Sequence, residues 1–306
     1  MMNSNELIAE MNKVVRGKEE EIKKVWMAIL ADGHILLEDA PGVGKTTLAL
    51  AFSKAMQLSF QRIQFTPDVT ASDIVGFNYF DKNKNEFVFH AGAIMANFIL
   101  GDEINRTSSR TQSALLEAME EGAVTVDGKT YALPSPFIVM ATQNPIGSTG
   151  TQPLPQAQLD RFMIKLSMGY PDFDSQVALL RDRQTGQPLQ QIVSVLDAET
   201  LEQMKQDVRN VRIVDELLAY ITRVTIATRE HAAILQGISP RGALAVCQMA
   251  KAHAYLDNRS YVIPEDVMAV WEPTCLHRLV VSSAADSKTI FDEIIASIPT
   301  PDEQVV

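Results

Sequence analysis

Apolar runs of about four to six residues alternate with longer segments of helical periodicity through the first two thirds of the chain. The strand-like runs are residues 34–37, 60–65, 98–101, 137–142 and 163–166, and the helical patterns between them include residues 45–56 and 110–121. Strands separated by helices are typical of a parallel sheet whose two faces are both covered. The pattern therefore predicts an α/β fold for this part of the chain.

Two further segments predict β-hairpins inserted into this alternation. Residues 124–126 and 129–131 flank Asp127 and Gly128, a pair favoured in a two-residue type I′ turn. Residues 77–80 and 86–89 flank the polar run 81–85 and predict a looser hairpin. The polar run itself is typical of a solvated loop.

The last third of the chain has helical periodicity throughout. A polar stretch with Gly and Pro, residues 184–188, predicts a linker. The helices predicted beyond it are residues 197–209, 215–230, 240–257, 264–280 and 287–298, with Asp197 and Asp215 as N-caps and Pro240 and Pro264 in first turns. We therefore predict an α/β domain over residues 1–188 and a small all-helical domain over residues 189–306.

Composition narrows the class of protein. Lysine and arginine total 27 against 38 aspartates and glutamates, a net charge of −11 that disfavours general binding to nucleic acid or anionic membranes. Cys247 and Cys275 lack metal-ligand spacing, which favours a reducing compartment and no zinc site. The apolar runs are shorter than the ~20 residues of a membrane helix, and the N-terminus lacks a signal peptide. We expect a cytoplasmic protein without membrane insertion.

Residues 35–47 contain a phosphate-loop pattern: an apolar strand, a glycine-containing loop, and Lys45 and Thr46 opening a helix. Backbone N–H groups there can converge on one point, where the helix N-terminus adds positive potential for phosphate oxygens. Lys45 would reach the β- and γ-phosphates, and the Thr46 hydroxyl would bind Mg²⁺. The candidate nucleotide-binding residues are Asp39, Pro41, Gly42, Val43, Gly44, Lys45, Thr46 and Thr47.

Asp39 departs from the general phosphate-loop pattern, which has glycine at this first position. Glycine eases the turn from strand to loop there, and aspartate tolerates unusual backbone angles better than most residues. This tolerance leaves nucleotide binding by the loop as the prediction.

Two carboxylates end the apolar strand at residues 98–101. Asp102 would hold the Mg²⁺ shell, and Glu103 would polarise the attacking water as general base. A carboxylate that activates water favours hydrolysis over transfer to a second substrate. Asn144 follows the next long apolar strand and could bond the γ-phosphate or the water, because ligands bind beyond the carboxyl ends of parallel strands. The sequence therefore predicts a nucleoside triphosphate hydrolase.

With these elements in chain order, the sequence resembles the MoxR family of AAA+ ATPases over roughly residues 5–298. The most specific run is Asp102-Glu103-Ile104-Asn105-Arg106. The other segments that carry the resemblance are residues 36–46, 64–68, 72–76, 111–112, 115–122, 124–128, 141–145 and 154–162. The resemblance implies a P-loop AAA+ nucleotide-binding domain with hairpin inserts, followed by a helical lid, and ATP with Mg²⁺ as the ligands.

The resemblance also implies roles for individual residues. Asn144 matches the first sensor, and Val15 and Gly17 match the segment that contacts adenine. Arg161 matches an arginine finger inserted into a neighbouring subunit's nucleotide site. Arg241 matches the second-sensor arginine, which reads the γ-phosphate from the helical lid. Arg106 and Arg110 stay open, because either could contact nucleotide across an interface or pair with local carboxylates.

The sequence is compatible with three functions. The resemblance implies a homo-oligomeric ring, expected to be a hexamer, whose hairpins face the pore and which remodels or matures client proteins. It also implies partners with von Willebrand factor A domains. The alternatives are a nucleotide-gated scaffold with slow hydrolysis, and a chelatase-like or DNA-handling motor, against which the acidic charge weighs.

Overall fold

The computed structural model describes residues 2–144, 151–282 and 286–301; Pro145, which ends one of the resembling runs, lies outside them. The strands are β1 (Ile35–Glu38), β2 (Phe60–Gln64), β3 (Gly76–Asp81), β4 (Glu86–Ala91), β5 (Phe98–Asp102), β6 (Ala123–Val126), β7 (Lys129–Ala132), β8 (Ile138–Gln143), β9 (Ile164–Leu166), β10 (Ile234–Gln236) and β11 (Val280–Val281). The helices are α1 (Met2–Asn12), α2 (Glu19–Leu30), α3 (Lys45–Ala55), α4 (Ala71–Val75), α5 (Ser109–Glu121), α6 (Gln156–Leu159), α7 (Phe173–Thr185), α8 (Ala198–Arg209), α9 (Asp215–Glu230), α10 (Pro240–Leu256), α11 (Pro264–Cys275) and α12 (Ser287–Ser297).

The central sheet is parallel and has the strand order β2-β5-β8-β1-β9. Each predicted strand of the α/β alternation is present, and the predicted fold class is confirmed. All six residues of β8 are buried, as expected of a central strand covered by helices on both faces. Because the strands are parallel, β1, β5 and β8 end side by side at one edge of the sheet. We call this the carboxyl edge, and the opposite one the amino edge.

The two predicted hairpins are present and contact each other. Asp127 and Gly128 both have positive φ, 49° and 77°, as a type I′ turn requires. The ring of Phe89 on β4 stacks on Tyr131 of β7 with 3.8 Å between centroids. In addition, Asn78 Nδ2 donates to Asp127 Oδ2 at 2.8 Å. These contacts join the β3–β4 and β6–β7 hairpins into one unit.

The C-terminal helices follow the prediction with four local corrections. Val214 is the N-cap of α9, so Asp215 is its first helical residue rather than its cap. Helix α11 ends at Cys275 instead of residue 280, just after Pro273, which cannot donate a backbone hydrogen bond. The following strand β11 pairs antiparallel with β10, so a short ribbon interrupts the helices. Helix α7 extends to residue 185, into the predicted linker.

One hydrophobic core runs from the sheet into the C-terminal helices. Trp26 on α2 and Leu37 on β1 belong to the same buried cluster as Leu201 on α8, Val246 on α10 and Trp271 on α11. The boundary at residue 188 therefore stays a prediction. Among the described residues, no helix has the length and apolar character needed to cross a bilayer.

His34 lies at the amino edge, at the start of β1, and is held in its neutral form. The Val139 backbone N–H donates to Nδ1 at 3.1 Å, so the proton must sit on Nε2, which lies 3.1 Å from the Met119 carbonyl. Burial lowers the pKa of His34 to about 4. Protonating Nδ1 would also break the bond from Val139.

This histidine predicts a loss of stability in acid. Its pKa is lowered on folding, so between about pH 6.5 and pH 4 the unfolded chain binds the extra proton and folding becomes less favourable. At pH 5.5, His34 alone should cost about 1 kcal/mol of unfolding free energy relative to pH 8. Urea unfolding of the wild type and His34→Gln at both pH values measures this contribution. An equal pH dependence in the two proteins would refute it.

Candidate nucleotide-binding site

The phosphate loop connects β1 to α3 and depends on two glycines. Gly42 and Gly44 have φ of +88° and +101°, in the left-handed region that other residues avoid. A Cβ at either position would meet nothing within 4 Å, so the requirement is conformational rather than steric. Gly44 is the N-cap of α3 and supplies no side chain to cap the helix. The first N–H groups of α3 therefore have no side-chain cap and can bind an anion.

Lys45 is buried at the base of this loop. Its Nζ donates to the carbonyls of Asp39, at 2.7 Å, and Ala40, at 3.2 Å. Burial lowers the pKa of Lys45, whereas the nearby carboxylates of Asp39, Asp102 and Glu103 act to raise it. The ammonium group is therefore held inside the loop by neutral carbonyls, which a phosphate oxygen can replace.

Asp39 acts through its side chain rather than through an unusual backbone conformation. It is not among the described residues with positive φ, so its tolerance of unusual backbone angles is not used. Its buried carboxylate instead accepts from Ser167 Oγ at 2.7 Å and from the backbone N–H groups of Met168, at 2.7 Å, and Gly169, at 3.0 Å. A carboxylate facing the phosphates would repel them. Asp39 therefore ties the loop to the segment that follows β9.

A cleft beside the loop is lined by apolar residues on one part and by charged residues, Arg16, Lys18, Asp182 and Arg183, on another. Val15, Val43 and Met168 line it together with Leu179 of α7 and Pro188. Gly44 and Thr47 also line it, next to the half-buried Thr46, while Pro41 and Gly42 lie exposed at the loop's outer side. Apolar walls beside a phosphate loop suit a flat base.

Gly17 supports this cleft without lining it. Its φ is +66°, and a Cβ there would approach Ser175 Oγ to 2.2 Å. Only glycine therefore allows the segment around Val15 to pack closely against the start of α7.

Asp102 ends β5 at the carboxyl edge, next to the loop, and Glu103 follows it. Thr142 on β8 joins them: its hydroxyl donates to Asp102 Oδ1 at 2.7 Å and accepts from the Glu103 backbone N–H at 2.9 Å. Arg62 of β2 forms an ion pair with Asp102 Oδ2 at 2.5 Å. Asp102 thus already faces a cation. Sequence reasoning missed both partners, although a threonine in an otherwise apolar strand was a usable signal for Thr142.

The Glu103 carboxylate is held by three donors. Asn144 Nδ2 donates to Oε1 at 2.9 Å, while Arg106 Nη1, at 2.8 Å, and Gln64 Nε2, at 3.2 Å, donate to Oε2. The hydrogen bond from Arg106, followed by that from Asn144, lowers the pKa of Glu103 against an opposing effect of burial. Glu103 also has φ of 58°, a strained conformation of the kind that clusters at functional sites.

The structure therefore brings Lys45, Asp102, Glu103 and Asn144 together at one edge. Of the two arginines left open, Arg106 pairs with a local carboxylate, Glu103. Arg110 lies exposed in the first turn of α5.

Arg161 and Arg241 lie elsewhere, at the amino edge. Arg161 lies shortly before β9. The backbone N–H of Met163, two residues after Arg161, donates to the carbonyl of His34, which directly precedes β1. Strand β1 is four residues long, so roughly 13 Å of strand separates this edge from the phosphate loop. Arg241, at the start of α10, lines a cavity with Arg161 and not the cleft beside the phosphate loop. The structure does not bring either arginine to the chain's own Lys45.

Glu120 shows that the two arginines converge. Its Oε2 lies 3.0 Å from Arg161 Nε, and its Oε1 pairs with Arg241 Nη2. One carboxylate thus satisfies both guanidinium groups, and all three side chains are partly exposed. A single anionic group of similar size, presented from outside, would fit between them.

Other proteins share this architecture. One family model, the ATPase family associated with various cellular activities (AAA), matches residues 34–164, and another, the AAA lid domain, matches residues 226–298. The YeaC protein of Bacillus subtilis is 44% identical over 96% of this chain and 93% of its own length. Chaperone MoxR1 of Mycobacterium tuberculosis is 37% identical over 94% of this chain and 78% of its own.

A solved structure is similar as well. The crystal structure of a candidate ATPase from Cytophaga hutchinsonii matches with a TM-score of 0.89 and 36% identity, covering 98% of this chain and 95% of that one. The similarity thus extends over the sheet, the hairpins and the C-terminal helices.

Proposed function

The chain belongs to the MoxR family of AAA+ ATPases, and from that premise we propose that it hydrolyses ATP at sites completed by neighbouring subunits. The observation that carries the proposal is the division of the machinery between two edges of one sheet. Lys45, Asp102, Glu103 and Asn144 meet at the carboxyl edge. The arginines that would neutralise the γ-phosphate converge on Glu120 at the other edge, which supports their action on the site of a neighbouring chain.

The residues at the carboxyl edge fit a magnesium–nucleotide complex. The Asp102 carboxylate and the Thr46 hydroxyl are oxygen donors of the type that Mg²⁺ prefers, and Arg62 already pairs with Asp102 as a cation. These two residues would hold the ion, which when bound neutralises charge on the β- and γ-phosphate oxygens. Lys45 would exchange its two carbonyl partners for phosphate oxygens, and the adenine would enter the cleft beside Val15.

The chemical step follows from the position of Glu103. A water molecule attacks the γ-phosphorus, the bond to the β–γ bridging oxygen breaks, and ADP and phosphate leave. Glu103 accepts a proton from that water, and Asn144 orients the Glu103 carboxylate and the water. Arg106 must release Oε2 of Glu103 for this oxygen to act as base, because its hydrogen bond lowers the pKa of the carboxyl. Arg161 and Arg241 of a neighbouring subunit would stabilise the charge on the transferring group.

Such a contact has consequences for assembly. The amino edge of one subunit, which carries Arg161 and Arg241, would meet the carboxyl edge of the next subunit. Because two different surfaces meet, the interface is heterologous, and it closes into a ring when the rotation per subunit permits. We propose a homo-oligomeric ring, with a hexamer as the expected size. Partners with von Willebrand factor A domains remain part of the proposal.

We further propose that ATP turnover drives remodelling of partner proteins, in keeping with the printed name of Chaperone MoxR1. The β3–β4 hairpin supports this, because Phe77, Tyr79, Phe80 and Phe87 on it are 43%, 44%, 47% and 74% exposed. Exposed aromatic side chains grouped on one element are typical of a surface that binds other proteins.

One experiment tests both parts of the proposal. We expect Mg²⁺-dependent ATP turnover by the wild type, loss of fluorescent-nucleotide binding in Lys45→Ala, and unchanged binding in the control Lys82→Ala, an exposed hairpin lysine. A permanently unfolded polypeptide added as probe should raise wild-type turnover, as expected when binding of a client is coupled to hydrolysis. Nucleotide binding that survives in Lys45→Ala would refute the assigned site. An ATP turnover rate that is the same with and without the unfolded polypeptide would refute the remodelling role.

A further inference from the structure

Arg278 is a buried arginine that holds the segment carrying Arg161. Its side chain is 3% exposed and follows α11 in a short 3₁₀ turn, Leu276–Arg278. Its Nη2 donates to the carbonyls of Asp160, at 3.0 Å, and Phe162, at 2.7 Å, and Nη1 donates to that of Met163 at 3.2 Å. The backbone is therefore fixed on both sides of Arg161.

The same guanidinium is connected to the helix that carries Arg241. Its Nε donates to Asp160 Oδ1 at 2.7 Å, and the other oxygen of Asp160 accepts from Ser239 Oγ at 2.8 Å. Ser239 is the N-cap of α10, and its hydroxyl accepts from the Gly242 backbone N–H at 3.0 Å. Asp160 thus links Arg278 to the first turn of α10, in which Arg241 lies.

Gly242 brings this turn into direct contact with Arg278. A Cβ at Gly242 would lie 2.8 Å from Arg278 Cδ and 2.7 Å from Ile238 Cγ2, closer than side chains tolerate. The helix start therefore rests on the aliphatic part of Arg278. One side chain touches the Arg161 segment with its guanidinium group and the Arg241 helix with its methylenes.

The energetics favour a role in orientation. Taking an arginine and an aspartate out of water costs free energy, and a buried ion pair often adds little net stability compared with an apolar pair. A guanidinium group whose N–H groups all have acceptors supplies a rigid geometry, because its planar donors fix several acceptors at once. Here those acceptors flank Arg161, and the Asp160 carboxylate among them also binds the N-cap of the helix that carries Arg241.

We propose that Arg278 is a positioning residue that fixes Arg161 and Arg241 as one unit for presentation to the adjacent subunit. This inference rests on the proposed function, in which the arginines act across an interface. Weakening this support lets the two guanidinium groups move relative to each other, and a misplacement of about 1 Å can cost about 10²-fold in rate. The cost falls on the neighbour's site and not on the chain's own.

Mixed assemblies test this direction of action. Lys45→Ala subunits supply arginines but lack a working site, whereas Arg161→Ala subunits keep the site but lack a finger. Each alone should be nearly inactive, and their mixture should recover turnover at the mixed interfaces. Arg278→Lys is then added to either parent. In Lys45→Ala, the subunit that donates the arginines, Arg278→Lys should lower the recovered turnover about 10- to 100-fold. In Arg161→Ala, the subunit that accepts them, the same substitution should change the recovered turnover less than about two-fold.

Two further variants make the result specific. Arg259→Lys in the donor is the matched control, because Arg259 is another arginine bound to a buried aspartate, Asp266, in the same helical region. It should leave turnover unchanged. Gly242→Ala in the donor keeps Arg278 but displaces α10, and should lower turnover even if Arg278→Lys fails to fold. Particle size confirms assembly in each mixture.

The outcomes separate the two claims. If the unmodified parents do not complement, the arginines do not act across the interface, and the proposed function fails together with this inference. If the parents complement but Arg278→Lys or Gly242→Ala lowers turnover equally on the donor and acceptor sides, Arg278 is only structural and the positioning role is wrong. A donor-only loss supports it.

Discussion

Replacing Arg161 with alanine is expected to lower ATP turnover by about 10³-fold or more, the effect of removing an arginine that neutralises charge on a transferring phosphoryl group. The variant should bind nucleotide as the wild type does, since Arg161 lies at the edge of the sheet opposite Lys45. It should also assemble, because the backbone around it is held by Arg278 and not by the Arg161 side chain. Steady-state turnover, nucleotide affinity and particle size measure the three expectations.

A surface arginine provides the control for this result. Arg223 is exposed on α9, and Arg223→Ala should keep wild-type turnover. A comparable loss in both variants would show a general charge effect and remove the reason to assign Arg161 to the neighbour's site. Full turnover in Arg161→Ala would remove the finger altogether.

Replacing Glu103 with glutamine is the second large effect expected. The amide keeps the size of the side chain but cannot accept the proton of the attacking water, so turnover should fall about 10²- to 10⁴-fold. ATP binding should persist or tighten, because glutamine removes one negative charge near the phosphates while Lys45 and the loop stay intact. Single-turnover hydrolysis and nucleotide binding are the measurements. Glu117→Gln, at an exposed position on α5, is the matched control.

The Glu103→Gln variant also distinguishes a motor driven by ATP hydrolysis from a scaffold assembled by ATP binding. An ATP-loaded ring that cannot hydrolyse should lose partner remodelling if turnover drives it. If partner function persists in Glu103→Gln, the nucleotide acts as an assembly signal, and the scaffold function replaces the motor.

The elements of the fold could be predicted because their signals are local. An apolar run bounded by polar residues predicts a strand, and Asp127-Gly128 predicts a tight turn from two residues alone. The phosphate loop is equally local, since Gly42, Gly44 and Lys45 lie within four residues. Parallel pairing then follows, and it places the ends of β1, β5 and β8 at one edge.

The partners of buried charges could not be predicted in the same way. The Asp39 carboxylate binds residues about 130 positions away, and Arg278 binds the Arg161 segment more than 110 positions away. Periodicity reports which side chains face inward but not which polar groups they meet. Charged or titratable residues flanked by apolar ones, as His277 and Arg278 are by Leu276 and Leu279, do signal a buried polar group, although its partner requires the structure.

The position of Arg241 illustrates the same limit. The family resemblance implies a role in sensing phosphate, but only the packing of α10 shows that its guanidinium group meets Glu120, in a cavity that Arg161 also lines. The proposed division of the site between two subunits therefore rests on tertiary packing and not on a local sequence signal.

If each ATP site is incomplete in a single chain, turnover per protomer must depend on protein concentration, and it is measured across a wide concentration range. Particle mass is measured in the same samples. We predict that turnover per protomer rises with concentration as assemblies form and levels off once assembly is complete. Full turnover in samples that contain only monomer would contradict the account, because a single chain would then contain the whole catalytic site.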